Sequence, residues 1–86
     1  GPVTGIEEAQ AANYLLLTNE NGYTLVNSDG IKGDIKVIDV TGKVIWSKNS
    51  VNSNQVNIDL NGVSVGMYFI NVINNGENIY TNKVVK

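Results

Sequence analysis

Two aspartates are the residues of this chain best placed to do acid or base chemistry. Asp39 and Asp59 each lie at the end of a segment in which apolar residues alternate, and a pair of carboxylates can act as general acid and base. Each also precedes a turn signal, where an aspartate side chain accepts backbone hydrogen bonds. The 86 residues include no His and no Cys, which removes the usual base at neutral pH and any thiolate nucleophile. We therefore expect turn capping at both aspartates and no enzymatic activity.

Side chains that bind charged or metallic ligands are scarce. The chain has no Arg, and its six lysines are outnumbered by eight acidic residues, for a net charge of −2. Nucleic-acid binding needs clustered basic side chains, so we expect no nucleic-acid partner. Oxygen atoms of Asn27, Asp29 and Asp34 could face a calcium ion, but their spacing lacks the regular acidic repeat of a calcium loop. We expect no metal, no cofactor and, since no stretch is long and apolar enough, no membrane insertion.

The residues from Asn13 onward have the pattern of an all-β domain, with short apolar runs separated by turn signals. A polar segment at 47–55 predicts a surface loop. The seven predicted strands are 14–18, 23–27, 34–40, 43–48, 56–60, 67–73 and 78–86. Seven short strands with regular turns favour a seven-stranded antiparallel immunoglobulin-like β-sandwich.

Three glycine-containing pairs mark the predicted hairpins. Asn21-Gly22 suits the positive φ angles of a type I′ turn, and Asn75-Gly76 predicts a second tight hairpin. At Thr41-Gly42 we expect Asp39 to cap the turn while Gly42 takes the left-handed conformation. These pairs fix where the chain reverses.

Strand 67–73 is apolar on both faces over much of its length, which predicts a central strand covered on both sides. Tyr68 lies at its start, where a tyrosine in such sandwiches donates a hydrogen bond back to the preceding loop. Gly66 allows a tight turn beside the ring. We expect residues 56, 58, 60, 68, 70 and 72 to form the shared core.

The beginning of the chain is predicted to lie outside the folded domain. Residues 1–2, Gly-Pro, are typical of the scar left when a purification tag is removed. Residues 3–12 are predicted to be a linker to an upstream cargo, with at most a short helical turn at 6–12. The folded domain is predicted to comprise residues 13–86.

Several motifs, in their order and spacing, resemble one known family. They are Asp-Val-Thr-Gly-Lys-Val-Ile at 39–45, Ile-Asp-Leu at 58–60, Gly-Met-Tyr-Phe-Ile-Asn-Val at 66–72, Gly76 and the ending Lys83-Val84-Val85-Lys86. Together they resemble the C-terminal sorting domain of type IX (Por) secretion system substrates of Bacteroidetes-type bacteria. The resemblance runs from about residue 23 to the last residue. The region 12–15 lacks the proline-containing segment with which many members begin.

The resemblance implies a function. The domain would be a C-terminal secretion signal that directs a cargo in the same chain through the type IX system across the outer membrane. An outer-membrane translocon would recognise it after folding in the periplasm. A sortase-like cysteine protease would remove it at the cell surface by cutting within residues 3–13, so that the product is secreted or surface-bound.

The resemblance also implies which residues the translocon recognises. They are Gly42, Lys43, Gly66, Tyr68, Lys83, Val84, Val85 and Lys86. The last four are the strongest candidates, because an edge strand ending in a free carboxylate offers unpaired backbone groups to a receptor.

An alternative from another functional class fits the same fold. A non-catalytic spacer or carbohydrate-binding module could use Tyr23, Trp46 and Tyr80 as a stacking platform. Trp46, however, alternates in phase with Val44, which favours a core position for it. Such a module would not depend on its last strand, whereas a sorting signal would.

Overall fold

A computed structural model describes residues 13–86, in which every regular element is a β-strand. The strands are β1 (Tyr14–Asn19), β2 (Gly22–Asp39), β3 (Val44–Asp59), β4 (Met67–Asn74) and β5 (Glu77–Val85). All neighbours are antiparallel; the order is β1-β2-β4-β5, and β3 pairs with β2. This part of the chain has no helix that could cross a membrane. The predicted tag scar, linker and helical turn lie outside the described residues. So does the predicted processing segment, apart from its last residue, Asn13.

The long strand β2 exchanges partners halfway along its length. Residues 22–27 lie between β1 and the end of β3, whereas residues 31–39 lie between the start of β3 and β4. Between these halves the register with β3 shifts, Gly30 has a φ of +99°, and the Asn27 side chain accepts a 2.8 Å hydrogen bond from the backbone of Asp29. A bulge of this kind bends a strand and increases its twist. The single sheet consequently curls until its two halves face each other.

The structure confirms the all-β, antiparallel prediction but not the seven-stranded immunoglobulin-like sandwich. The predicted strands 23–27 and 34–40 both lie in β2, apart from residue 40, and 43–48 and 56–60 both contribute to β3. The predicted loop at 47–55 is wrong, because those residues continue β3 and Val51 is buried. These polar residues, and Gly30 and Gly33 in the paired part of β2, lie at or beside bulges, beyond which the pairing of the two strands resumes.

One core fills the space between the two halves of the sheet. All six residues predicted for it are buried, together with neighbours from both halves: Leu25, Ile31, Ile35, Val37, Val51, Val56, Ile58, Leu60, Tyr68, Ile70, Val72, Tyr80 and Val84. The rings of Tyr14 and Tyr80 stack with their centroids 4.5 Å apart. This contact joins β1 and β5, the first and last strands of the order β1-β2-β4-β5, across the core. Strand β4 is central, as predicted, but Met67 on its outer face is 41% exposed. The prediction that both faces are covered is therefore wrong at the start of β4.

The hairpins differ in how well the sequence predicted them. Asn75 and Gly76 have φ angles of 54° and 78° and connect the paired residues Asn74 and Glu77, which is a type I′ arrangement. The first hairpin is shifted by one residue, because Asn19 pairs with Gly22 and the connection is 20–21. Its turn is held instead by the Asn19 side chain, which accepts a 2.8 Å bond from the backbone of residue 21.

Candidate functional site

All eight candidate recognition residues lie at the same end of the curled sheet. Asp39 pairs with Tyr68, and Tyr68 pairs with Val84, so that the end of β2, the start of β4 and the end of β5 lie side by side. We call this region, formed by residues 39–44, 66–69 and 83–86, the Lys86 end. Motifs that are far apart in the sequence are therefore adjacent in the fold.

The turn that contains Gly42 and Lys43 is held by Asp39. The backbone of Gly42 donates to the Asp39 carbonyl at 3.0 Å, and Gly42 has a φ of +90° that other residues rarely adopt. One carboxylate oxygen of Asp39 accepts from the Thr41 hydroxyl at 2.6 Å and from the backbones of Thr41 and Lys43 at 2.9 and 3.0 Å. The Thr41 hydroxyl is the main cause that lowers the pKa of Asp39. The predicted turn cap is confirmed, and the Lys43 side chain is left exposed on the turn.

Lys86 is attached to the loop between β3 and β4 through both its backbone and its side chain. Its backbone exchanges two hydrogen bonds with Gly66, of 2.8 and 3.1 Å. Its ammonium group donates to the carbonyl of Leu60 at 2.7 Å and also to that of Val63. The ammonium group thus fixes the loop that precedes β4, so Lys86 has a structural role in the fold.

Tyr68 forms the predicted corner. Its side chain is buried, and its hydroxyl donates a 2.6 Å hydrogen bond to the carbonyl of Ser64, four residues earlier. Gly66, between them, has a φ of +154°. Tyr68 and Lys86 therefore both bind carbonyls of the same loop, Tyr68 from a buried position and Lys86 from an exposed one.

The residues at the end of β5 point in opposite directions. Val84 is buried, whereas Lys83 and Val85 lie on the outer face. Because Lys86 exchanges both backbone bonds with Gly66, the alternation of an antiparallel ladder turns the backbone groups of Lys83 and Val85 toward the open edge of β5. The Val85 carbonyl there accepts a 3.1 Å bond from the hydroxyl of Tyr23. The strand is an edge strand, as predicted, with one of its outward carbonyls already occupied.

The alternative sites predicted from sequence are occupied by structural contacts. Tyr80 is buried against Tyr14, burial raises the pKa of its hydroxyl, and that hydroxyl accepts a 3.0 Å bond from Asn82. Trp46 is half-buried against the core. Tyr23, Trp46 and Tyr80 therefore do not form an exposed platform for a sugar.

The polar residues considered for calcium or catalysis serve turns and bulges. Asp34 accepts a 3.0 Å bond from the backbone of Ser50, and Asp59 accepts a 2.9 Å bond from the backbone of Asn61. Within residues 13–86 no three acidic side chains come close enough to hold a metal ion. These contacts explain the aspartates as capping groups.

The fold brings to the Lys86 end several residues whose role there no sequence pattern indicated. Tyr23 reaches the end of β5 from the other half of the sheet, and Leu60 and Val63 supply the carbonyls that Lys86 binds. Met67, beside Val85 in the register, was predicted to be covered. The alternation along 67–73 already predicted that Met67 lies on the face opposite Tyr68, but no local signal indicated that this face is exposed at Met67.

Comparison with known families gives one result. The model of the family described as "secretion system C-terminal sorting domain" matches residues 14–86, which include the whole Lys86 end. No curated protein and no solved structure shows significant similarity to the chain.

Proposed function

Because the chain belongs to the family of secretion system C-terminal sorting domains, and is thus a sorting signal for type IX secretion, we propose that the secretion machinery recognises it at the Lys86 end. The observation that carries this proposal is the convergence of three separate sequence motifs on adjacent strands at one end of the sheet. Domains of this family are not catalytic, so the chain acts as a substrate of the machinery.

A sorting signal of this kind implies a cargo region in the same chain and export to the cell surface or the extracellular space. In our proposal, an outer-membrane translocon binds the folded domain, and a sortase-like cysteine protease then removes it. The cut falls within residues 3–13. Because β1 begins at Tyr14, a cut before that residue removes no strand from the sheet.

The candidate residues divide into two groups in this proposal. Gly42, Gly66, Tyr68, Val84 and Lys86 shape and hold the Lys86 end, since their side chains are absent, buried or bonded internally. Lys43, Lys83 and Val85 are exposed there and are the groups a partner can touch. No observation favours the spacer or carbohydrate-binding alternative.

A reporter fusion tests the proposal. A periplasmically targeted fluorescent protein carrying this chain at its C-terminus is expressed in a type IX-competent host and in the same host without its translocon. We expect the reporter at the surface or in the medium of the competent host only, shortened by removal of the domain. A wild-type fusion that stays in the periplasm of the competent host would contradict the proposal.

Deleting residues 83–86 is a poor test of recognition by itself. The deletion also removes the Lys86 bonds to Gly66 and Leu60, so a failure to export could reflect unfolding alone. Point variants of exposed residues, with the free energy of unfolding measured in parallel, separate the two effects.

A further inference from the structure

The outer face of the Lys86 end carries an apolar patch on four adjacent strands. Val37, Tyr68 and Val84 are buried, so the residues next to them in β2, β4 and β5 point to the opposite face. Residues paired across an antiparallel ladder share a face. The residues that pair with these outward-pointing residues therefore belong to the same face. The patch, called the outer patch, comprises Ile38, Val44, Met67, Phe69, Lys83 and Val85.

Several members of the outer patch are strongly exposed. Val85 is 66% exposed, Val44 is 45% exposed and Met67 is 41% exposed, and Val40 in the adjacent turn is 68% exposed. Ile38 and Phe69 lie between them and are half-buried. Clustered exposed apolar side chains of this kind typically mark an interaction surface.

Lysines and acidic residues are unevenly distributed along this half of the sheet. Lys83 lies within the outer patch, Lys43 adjoins Val44, and Lys36 is on the same face two residues before Ile38. The acidic residues Asp34 and Glu77 instead pair with the far end of β4.

Lys83 pairs with Phe69 and Asp34 pairs with Ile73, four residues apart along β4, a distance of about 13 Å at about 3.3 Å per residue. That distance exceeds the Debye length of about 8 Å at physiological salt, so Asp34 and Glu77 do not neutralise Lys83. Lys36 differs, because Asp34 lies two residues from it on the same face of β2.

Asp39, at the Lys86 end, keeps its negative charge and interacts electrostatically with Lys43. Lys83, in contrast, pairs with Phe69 and has no acidic residue opposite it. The outer patch therefore contains one lysine, Lys83, and no acidic residue, on a chain whose net charge is −2.

We infer that the outer patch is the docking surface for a protein component of the type IX machinery, whose contact surface is apolar at its centre and edged by Asp or Glu side chains. This inference rests on the proposed function and specifies the chemistry of the partner. The apolar centre supplies burial, and the lysines meet the acidic edge, which speeds association and selects the orientation.

Two other occupants fit the patch less well. A second copy of the chain, related by a twofold axis, would bring the same patch against itself and juxtapose lysines. Binding to an anionic membrane gains about 1 kcal/mol for each lysine, so three lysines contribute about 3 kcal/mol of binding free energy. A millimolar Kd already requires about 4.1 kcal/mol, so these charges alone do not hold the patch on a membrane, and a protein of the type IX machinery is the occupant that the family supports.

The test measures binding of the 86-residue chain to immobilised type IX translocon, purified in detergent from a competent host, at low and high NaCl. The patch variants are Val85→Asp and Lys83→Glu. The matched controls are Leu15→Asp, in the edge strand at the opposite margin of the sheet and 55% exposed, and Lys32→Glu, an exposed lysine outside the Lys86 end. Circular dichroism and the denaturation midpoint confirm folding. If Val85→Asp does not fold, Val85→Ser and Lys83→Gln take the place of the charged variants.

We expect each patch variant to bind about tenfold more weakly or worse, a change of about 1.4 kcal/mol, and each control to bind within about twofold of wild type. High NaCl should weaken the binding of Lys83→Glu less than it weakens the binding of wild type. Patch variants that bind as well as the controls would overturn the inference while leaving the proposed function intact. Equal binding to protein-free phosphatidylglycerol vesicles, or a dimer that Val85→Asp dissociates, would also overturn it. Wild type that fails to bind the translocon would count against the proposed function as well.

Discussion

Replacing Lys86 by Met separates the structural role of the last lysine from a role in recognition. Methionine keeps much of the aliphatic length of lysine but removes the ammonium group that donates to the carbonyls of Leu60 and Val63. The backbone bonds between residue 86 and Gly66 remain available. The variant therefore isolates the contribution of the side-chain bonds to the loop between β3 and β4.

The expected loss follows from those two bonds. A hydrogen bond to a charged group contributes about 1.5–3 kcal/mol when it is well shielded from water. Lys86 is exposed as a whole, and solvent reduces what each bond contributes, so we expect about 1–2 kcal/mol for the pair. For a domain of this size, 1 kcal/mol lowers Tm by about 4–8 °C. The variant should therefore unfold about 5–15 °C below wild type.

Lys83→Met is the matched control, three residues earlier in the chain. Lys83 is exposed, and within the described residues its ammonium group has no hydrogen-bond partner. Its loss should change the free energy of unfolding by less than about 0.5 kcal/mol. Urea denaturation followed by Trp46 fluorescence measures both variants. Equal stability of Lys86→Met and Lys83→Met would refute the assignment of a structural role to Lys86.

Three further changes test the core, the corner and the turn. Ile58→Ala removes a fully buried side chain and should cost about 2–4 kcal/mol; an unchanged denaturation midpoint would contradict its inward placement. Tyr68→Phe leaves the Ser64 carbonyl without its donor and should cost about 1–2 kcal/mol of stability with the fold retained. A variant as stable as wild type would mean that the hydroxyl faces solvent. The pKa of Asp39 is held below its ordinary 3.8, chiefly by the Thr41 hydroxyl, so its contribution is present above that pH and is lost as pH falls through the lowered pKa. The stability difference between wild type and Asp39→Asn should accordingly shrink in acid, and a difference that grows below pH 3.8 would reverse the sign we assign.

Local sequence signals predicted those features that depend on neighbouring residues. The alternation at 56–60 identified Val56, Ile58 and Leu60 as inward-facing, and all three are buried. Asn75-Gly76 forms the predicted hairpin, and Asp39 caps its turn. Each of these features is decided by the preferences of a few consecutive residues, which act in the same way in any β-domain.

The same local rules failed where the strands are long. Asn, Ser and Gly residues at 27–33 and 47–55 have the composition of loops, yet they continue β2 and β3. The ladder persists because each irregular segment retains a partner. Ser50, with a φ of 57°, donates its backbone N–H to Asp34, and the Asn54 side chain donates to the carbonyl of Ser28. A bulge is stabilised by its contacts with the neighbouring strand. A rule based on local composition takes no account of that strand.

The sequence by itself determined that this chain is an all-β domain with the motifs of a sorting signal, because alternation, turn residues and motif order are properties of the linear chain. Only the tertiary structure decided what each motif residue does. Lys83 and Lys86 are both lysines near the same strand end, but one ammonium group faces solvent while the other binds two carbonyls of a loop more than twenty positions earlier. The reason is that the direction of a side chain and the groups it meets depend on register and on the curl of the sheet, which are fixed by contacts between distant segments.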